Sequence, residues 1–185
     1  MQVKHSFDRI PPQGNFEVSP ASAEVLAQLT DLARARVPNV APQPERLTAL
    51  WRRDPATFLA FTSKSQLLGG IGLLYLNEWG LDALILDDIT LTDPEFRFLC
   101  RADERPAAIY WWAIAARGRG IAALGDLSRY LSTPRYAGVD FYAQPSSDDG
   151  CRLAVALGFK QIPSFQRDLW QYERLPVTSP QKIAA

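Results

Sequence analysis

The chain has 185 residues, 47% hydrophobic and 22% charged, a composition that excludes disorder over most of its length and fits one domain spanning residues 1–185. Lys plus Arg and Asp plus Glu both number 20, so no whole-chain field recruits nucleic acid or an anionic membrane, and any anion site must be local. Two cysteines and one histidine, His5, exclude a disulfide framework and a zinc cluster, and no apolar run reaches the roughly 20 residues of a membrane span.

In chain order, residues 1–18 carry Pro11, Pro12 and Gly14 and read as an irregular arm or a short first strand at Asn15 to Val18, because proline removes donors that a central strand needs. The arm has charges and no apolar core, so it does not read as a signal peptide, and a cytoplasmic protein is expected. Ser19 before Pro20 reads as a helix cap and first helical position. Val25, Leu26, Leu29, Leu32 and Ala33 then recur at helical spacing, predicting an amphipathic helix that stops before Pro38. Leu47, Leu50 and Trp51 share one face of a second helix ending at Asp54-Pro55. Two apolar runs, Thr57 to Thr62 and Leu67 to Leu76, flank the polar turn Ser63-Lys64-Ser65-Gln66 and predict an antiparallel hairpin. Gly69, Gly70 and Gly72 in its second strand fit relief of crowding under a helix as well as close approach of a ligand.

Residues 77–106 read less sharply. Leu81, Leu84, Ile85 and Ile89 make a helix face, Leu84 to Leu91 reads equally as a strand, and Asp93-Pro94 ends either. The segment is too apolar for disorder and is expected to be an insertion or flap beside a cleft.

The organising stretch runs from Ala107 to Leu124: an apolar strand ending Tyr110-Trp111-Trp112-Ala113-Ile114-Ala115-Ala116, the basic turn Arg117-Gly118-Arg119-Gly120, and a helix carrying Ile121, Leu124, Leu127 and Leu131 up to Thr133-Pro134. Amide N–H groups in such a glycine turn, with those at the start of the helix behind it, suit a phosphate. A carboxylate introduced at Gly120 is expected to expel the phosphate and leave the fold intact. Gly138 to Ala143 reads as a strand. Ser146 or Ser147 caps a helix with Leu153, Val155 and Leu157, and Gly158 is placed for a left-handed end. Phe159 to Ile162 and Phe165 to Tyr172 form a last hairpin, and residues 176–185 a polar tail.

Arg117, Gly120 and Ala122 satisfy the R-x-x-G-x-A form of the signature with which GNAT acyltransferases hold the pyrophosphate of acyl-CoA, and Val139-Asp140-Phe141-Tyr142 followed by Leu157-Gly158-Phe159 resembles that family's next strand, helix and turn. The resemblance covers about Ala107 to Phe159. It implies a mixed, mostly antiparallel α/β sheet with helices on both faces, splayed near Trp112. It also implies acetyl-CoA or another acyl-CoA as donor, and transfer of its acyl group to an amine acceptor, a small molecule or a protein, by a chain able to form a homodimer. By the same resemblance Trp112, Ala113 and Ile114 hold the pantetheine arm and thioester carbonyl through their backbone, while Arg117, Gly118, Arg119, Gly120, Ile121 and Ala122 hold the pyrophosphate. Three positions depart from the family pattern: Trp112 stands where a small β-branched residue is usual, Ile114 replaces a frequent proline, and Ala154 stands where a tyrosine commonly protonates the departing thiolate.

Deprotonating an amine needs a base, and releasing a thiolate gains from an acid. His5 reads as solvated, and Cys100 and Cys151 as packed thiols. Among Glu78, Asp87 and Asp88, Asp87 is the preferred candidate base. Tyr142 is the candidate phenol to replace the missing acid, against the alternative that it only packs. Trp79, Tyr110, Trp111, Trp112, Phe141 and Tyr142 read either as core or as the lining of an apolar pocket. A non-catalytic acyl-CoA-binding module is the competing functional class.

Overall fold

The computed structural model describes residues 6–36 and 43–174; His5 and the tail at 176–185 lie outside the described residues. A seven-stranded sheet runs in the order β1-β2-β3-β4-β5-β7-β6. Its strands are β1 (Glu17–Pro20), β2 (Phe58–Ser63), β3 (Gln66–Leu76), β4 (Ala108–Ala116), β5 (Phe141–Ala143), β6 (Lys160–Gln161) and β7 (Trp170–Tyr172). All neighbours are antiparallel except β4 and β5. Helices cover both faces, as the resemblance implies. Helices α4 (Leu124–Tyr130) and α5 (Asp148–Leu157) pack on one face with Ile109, Trp111 and Phe141. Helices α1 (Ala23–Arg36), α2 (Pro44–Arg53) and α3 (Glu78–Leu86) pack on the other with Leu74, Tyr110 and Tyr142. Ile109, Trp111 and Tyr110, Tyr142 divide in this way because successive strand side chains point to opposite faces.

Several elements differ from the sequence reading for identifiable reasons. Ser19 and Pro20 do not open a helix; they pair with Ala60 and Leu59 in β1, an edge strand, where a missing N–H costs no ladder bond. The cap falls to Ser22, whose Oγ accepts the Val25 N–H at 3.3 Å. The arm is pinned: Phe7 is fully buried, edge-on to Trp111 and Phe141, and the Gln13 N–H donates to the buried Asp126 carboxylate. The β2–β3 hairpin turns at Lys64 and Ser65, both left-handed at φ 49° and 64°, the pair of conformations a two-residue turn between right-twisted strands favours.

Residues 77–106 contain the helix alternative, not the strand. Asn77 Oδ1 accepts the Gly80 N–H at 2.8 Å and starts α3, and Asp87 ends it in the left-handed region at φ 63°. The chain then returns to the sheet through the Cys100 N–H to Tyr75 C=O bond. Arg53, at the end of α2, donates to the carbonyls of Leu99 and Cys100. A partly buried ion pair, Arg135 to Asp54 at 2.6 Å, lies beside them, and Arg135 also donates to the carbonyls of Arg101 and Glu104. The segment joins Leu76 to Ala108, the end of the β3–β4 pair remote from the glycine turn. It lays the fully buried Leu84 into the face that holds Tyr110, Tyr142 and Leu169.

Candidate functional site

The site follows from two interruptions in β4. The first is a bulge: Gly72 faces Ala113 and Leu73 faces Trp111, which leaves Trp112 as the extra residue. A bulge re-aims side chains and bends the strand. Here Trp111 stays on the α4/α5 face, while Trp112 joins the cluster of α1 to α3. The second is the loss of a partner. Parallel pairing of β4 with β5 stops at Trp111 opposite Ala143, so the strands separate beyond those residues. The expected splay near Trp112 is present.

Alternation settles which backbone groups face the gap. The Arg117 N–H donates to the Leu68 C=O at 2.7 Å, so the hydrogen-bonded pairs with β3 are Arg117, Ala115 and Ala113. The N–H groups of Ile114 and Ala116 therefore point the other way, toward the side that β5 has left. Of the three residues expected to hold the pantetheine arm, Ile114 presents its N–H to the gap. Ala113 gives its own to β3, and Trp112 contributes the bulge.

The gap is a cleft of about 630 Å³ lined by β4 from Trp111 to Ala116, by Gly118 and Ile121, and across from them by Gln144, Ala154 and Phe159. At its mouth Arg117, Gly118 and Arg119 are exposed. The turn continues as a 3₁₀ helix over Gly118–Ala123 before α4 begins, so the phosphate-like corner is tighter than the expected α-helical start. The first N–H groups of this helix have no carbonyl behind them within it, although that of Gly120 is given to the Arg117 C=O at 2.8 Å. Gly118 sits at φ +51° with open space where a side chain would be.

Gly120 plays a different part from the one expected. It is buried, and a Cβ there would lie 2.6 Å from the Leu68 C=O and 3.1 Å from Ala116 Cβ. Its missing side chain lets the turn sit on β3. The expectation that a glutamate at Gly120 leaves the fold intact is corrected by this contact. Ile121 is exposed at the cleft and Ala123 is buried behind it, which orients the corner.

The two candidate catalytic residues are not brought to the cleft. Asp87 is exposed at the end of α3 and does not line it. Tyr142 is buried among Leu84, Leu169 and Tyr110 on the opposite face, and burial, followed by the nearby Asp140 charge, pushes its phenol up to about 12. It packs. Ala154 does line the cleft, so the position at which the resemblance implies a tyrosine faces the gap with a methyl group.

Gln144 is a site residue that the sequence reading misses. It lines the cleft just after β5, accepts a hydrogen bond from the Tyr110 hydroxyl at 3.0 Å and donates to the Arg167 C=O at 2.6 Å. It thereby ties β4, β5 and the β6–β7 connection together at the point of splay. The signal for it is a lone amide directly after an apolar strand. Two other polar side chains in this wall are engaged, the Ser147 Oγ capping α5 by accepting the Gly150 N–H at 3.1 Å and Asp149 pairing with Arg152, while Ser146 is exposed beside them. No group of three or more His, Cys, Asp or Glu side chains that could hold a metal ion occurs among the described residues. No helix among them is long and apolar enough to cross a membrane.

No protein-family model matches the chain. No curated protein matches it either. Solved structures do resemble its fold. The loading GNATL domain of CurA from Lyngbya majuscula superposes with a TM-score of 0.58 at 13% identity, covering 85% of this chain and 97% of that domain. Ard1 from Thermoplasma volcanium superposes with a TM-score of 0.55 at 14% identity, covering 87% and 99%. The Bacillus subtilis N-acetyltransferase YlbP, solved in complex with coenzyme A, superposes with a TM-score of 0.51 at 10% identity, covering 85% and 95%. The chain has the GNAT fold.

Proposed function

We propose that this protein binds an acyl-CoA in the cleft between β4 and β5 and transfers its acyl group, acetyl or a larger one, to an amine. One observation carries the reading: the parallel pair parts directly beside unpaired N–H groups of Ile114 and Ala116, and the exposed Arg117–Gly118–Arg119 turn stands at the mouth of the resulting cleft. The complex of YlbP with coenzyme A supports the choice of ligand through the shared fold.

In this reading the backbone does most of the positioning. The pyrophosphate takes the N–H groups of the turn with Arg117 and Arg119 as counter-charges, and the pantetheine amides continue the β4 ladder in the place β5 has vacated. The Ile114 N–H faces the level at which a thioester carbonyl would lie. A donor held there stabilises the oxyanion that forms as the amine attacks. Proton transfer is the weaker half of the site, because Ala154 offers no hydroxyl and neither Asp87 nor Tyr142 reaches the cleft. A thiol resembling free cysteine has a pKa near 8.5, so its departure depends less on an acid than that of an alkoxide would.

That same deficit supports a second reading, a non-catalytic acyl-CoA-binding module. Release of free thiol from acetyl-CoA, followed with a panel of amines, separates the two. Thiol release that depends on an added amine establishes transfer; saturable binding without release establishes the module; absence of both refutes either.

A further inference from the structure

Directly across β4 from the cleft lies an apolar pocket of about 60 Å³, bounded by α1, α2, β3 and β4. Its origin is local. Gly72 of β3 and Ala113 and Ala115 of β4 present at most a methyl group toward α1, and the bulge places Trp112 and Ala113, consecutive residues, in its wall. At Gly70 the helix closes in, since a Cβ there would lie 2.7 Å from a Leu29 methyl. At Gly72 it does not: a Cβ would meet only Phe58 at 3.5 Å and Trp112 at 3.6 Å, ordinary contacts. The space between Phe58, Trp112, Leu29 and Thr30 is left open, and no carboxylate among the described residues lines it. Trp112, Ala113 and Ala115 belong to the walls of the pocket and of the cleft alike.

We infer that this pocket receives the acyl chain of the thioester, and that the protein selects short hydrocarbon acyl groups over acetyl. The inference rests on the acyl-CoA reading of the cleft. Its occupant follows from proximity and chemistry. The wall shared with the cleft begins at the bulge, a short step along the strand from the Ile114 N–H. The lining is apolar apart from Thr30, whose hydroxyl donates to the Leu26 C=O at 2.8 Å, and the half-exposed Arg34, which lies 3.7 Å from Asp31. A guanidinium without a carboxylate in the lining disfavours an ammonium group, and the apolar remainder suits hydrocarbon. A water-sized group needs about 10–15 Å³ on this measure, so the pocket has room for about four such groups. That matches an acyl chain of about four to six carbons whose carbonyl stays in the cleft.

The test is calorimetric titration of the whole protein with coenzyme A, acetyl-CoA, butyryl-CoA, hexanoyl-CoA and dodecanoyl-CoA. At about fourfold per buried methylene, butyryl-CoA should bind about fifteenfold more tightly than acetyl-CoA, and dodecanoyl-CoA should lose the gain. Gly72→Ala and Thr30→Leu each fill part of the pocket outside the cleft. Either variant should bring butyryl-CoA and acetyl-CoA within about twofold of each other, with coenzyme A affinity kept; the second serves if the first fails to fold. Butyryl-CoA and acetyl-CoA binding wild type equally, or a preference unchanged in the folded variants, overturns the inference and leaves the cleft reading standing. Absence of coenzyme A binding removes the cleft reading itself. Binding of hexylamine that either variant abolishes, with no preference among acyl-CoA donors, would assign the pocket to the acceptor and overturn the inference.

Discussion

Gly118→Asp and Gly118→Asn form a matched pair that isolates the charge of the turn. Gly118 is exposed at φ +51° with no atom within 4 Å of the point a Cβ would occupy, and Asp and Asn are the residues besides glycine that best tolerate this conformation. Each should therefore cost the same small amount of stability, about 1 kcal/mol. They differ by one negative charge beside the N–H groups of the turn. A phosphate bound there lies about 5 Å from the new carboxylate, and at an effective dielectric between about 20 and 80 the repulsion is about 1 to 3 kcal/mol per charge pair. Gly118→Asp should thus bind coenzyme A about 5- to 150-fold more weakly than Gly118→Asn, and the gap should narrow as salt is raised. Calorimetric titration at two salt concentrations, with melting curves showing equal stability, reads both effects. Equal affinity of the two variants at low salt would refute phosphate binding at this turn.

Gly120→Ala, by contrast, should destabilise the fold by about 1–3 kcal/mol in denaturant titration, because its methyl overlaps the Leu68 carbonyl that Arg117 uses. Asp87→Asn should change turnover less than threefold, whereas a general base would show a loss of about 100- to 10,000-fold. Ala154→Tyr returns a phenol to the cleft; if thiolate release limits the rate, turnover should rise at least about tenfold, and more with acyl donors whose thiols leave slowly. Asp54→Ala removes the carboxylate partner of Arg135, which keeps its bonds to the Arg101 and Glu104 carbonyls, and should cost about 1–3 kcal/mol of stability in the same denaturant assay. Cys100 is buried, and burial, followed by the Glu104 charge, pushes its thiol up to about 11. Its folded pKa therefore exceeds the unfolded value near 8.5, so its contribution to stability is present below about pH 8.5 and is lost as pH rises toward about 11. Cys100→Ala should flatten that part of the pH–stability curve.

The corner from Ala107 to Ala122 is legible in the sequence because it is local: an apolar run, two glycines two apart and flanking arginines leave few conformations. What lies outside the reach of such reading depends on partners distant in sequence. Trp112 as a bulge is decided by the register of β3, and Gly120 as a packing glycine by the Leu68 carbonyl that lies over fifty residues away. Ser19-Pro20 has the local form of a helix start, yet pairing with Leu59 and Ala60 outweighs it. Asp87 draws attention through its neighbours in sequence, and Tyr142 through its strand. Period-two alternation argues against the latter, since Tyr142 and Tyr110 share the face opposite Phe141 and Trp111. Gln144 acquires its meaning only when Tyr110 and the Arg167 carbonyl meet it at the splay.

The central claim, acyl-CoA in the β4–β5 cleft, is tested most directly by amide NMR of the labelled protein titrated with acetyl-CoA. Saturable shifts should concentrate at Ile114, Ala116, Gly118 and Arg119 and at the start of α5, with the remote Leu76–Ala108 end of the sheet unchanged. An unaltered spectrum at millimolar acetyl-CoA, or shifts confined to residues away from β4, the turn and α5, would contradict it.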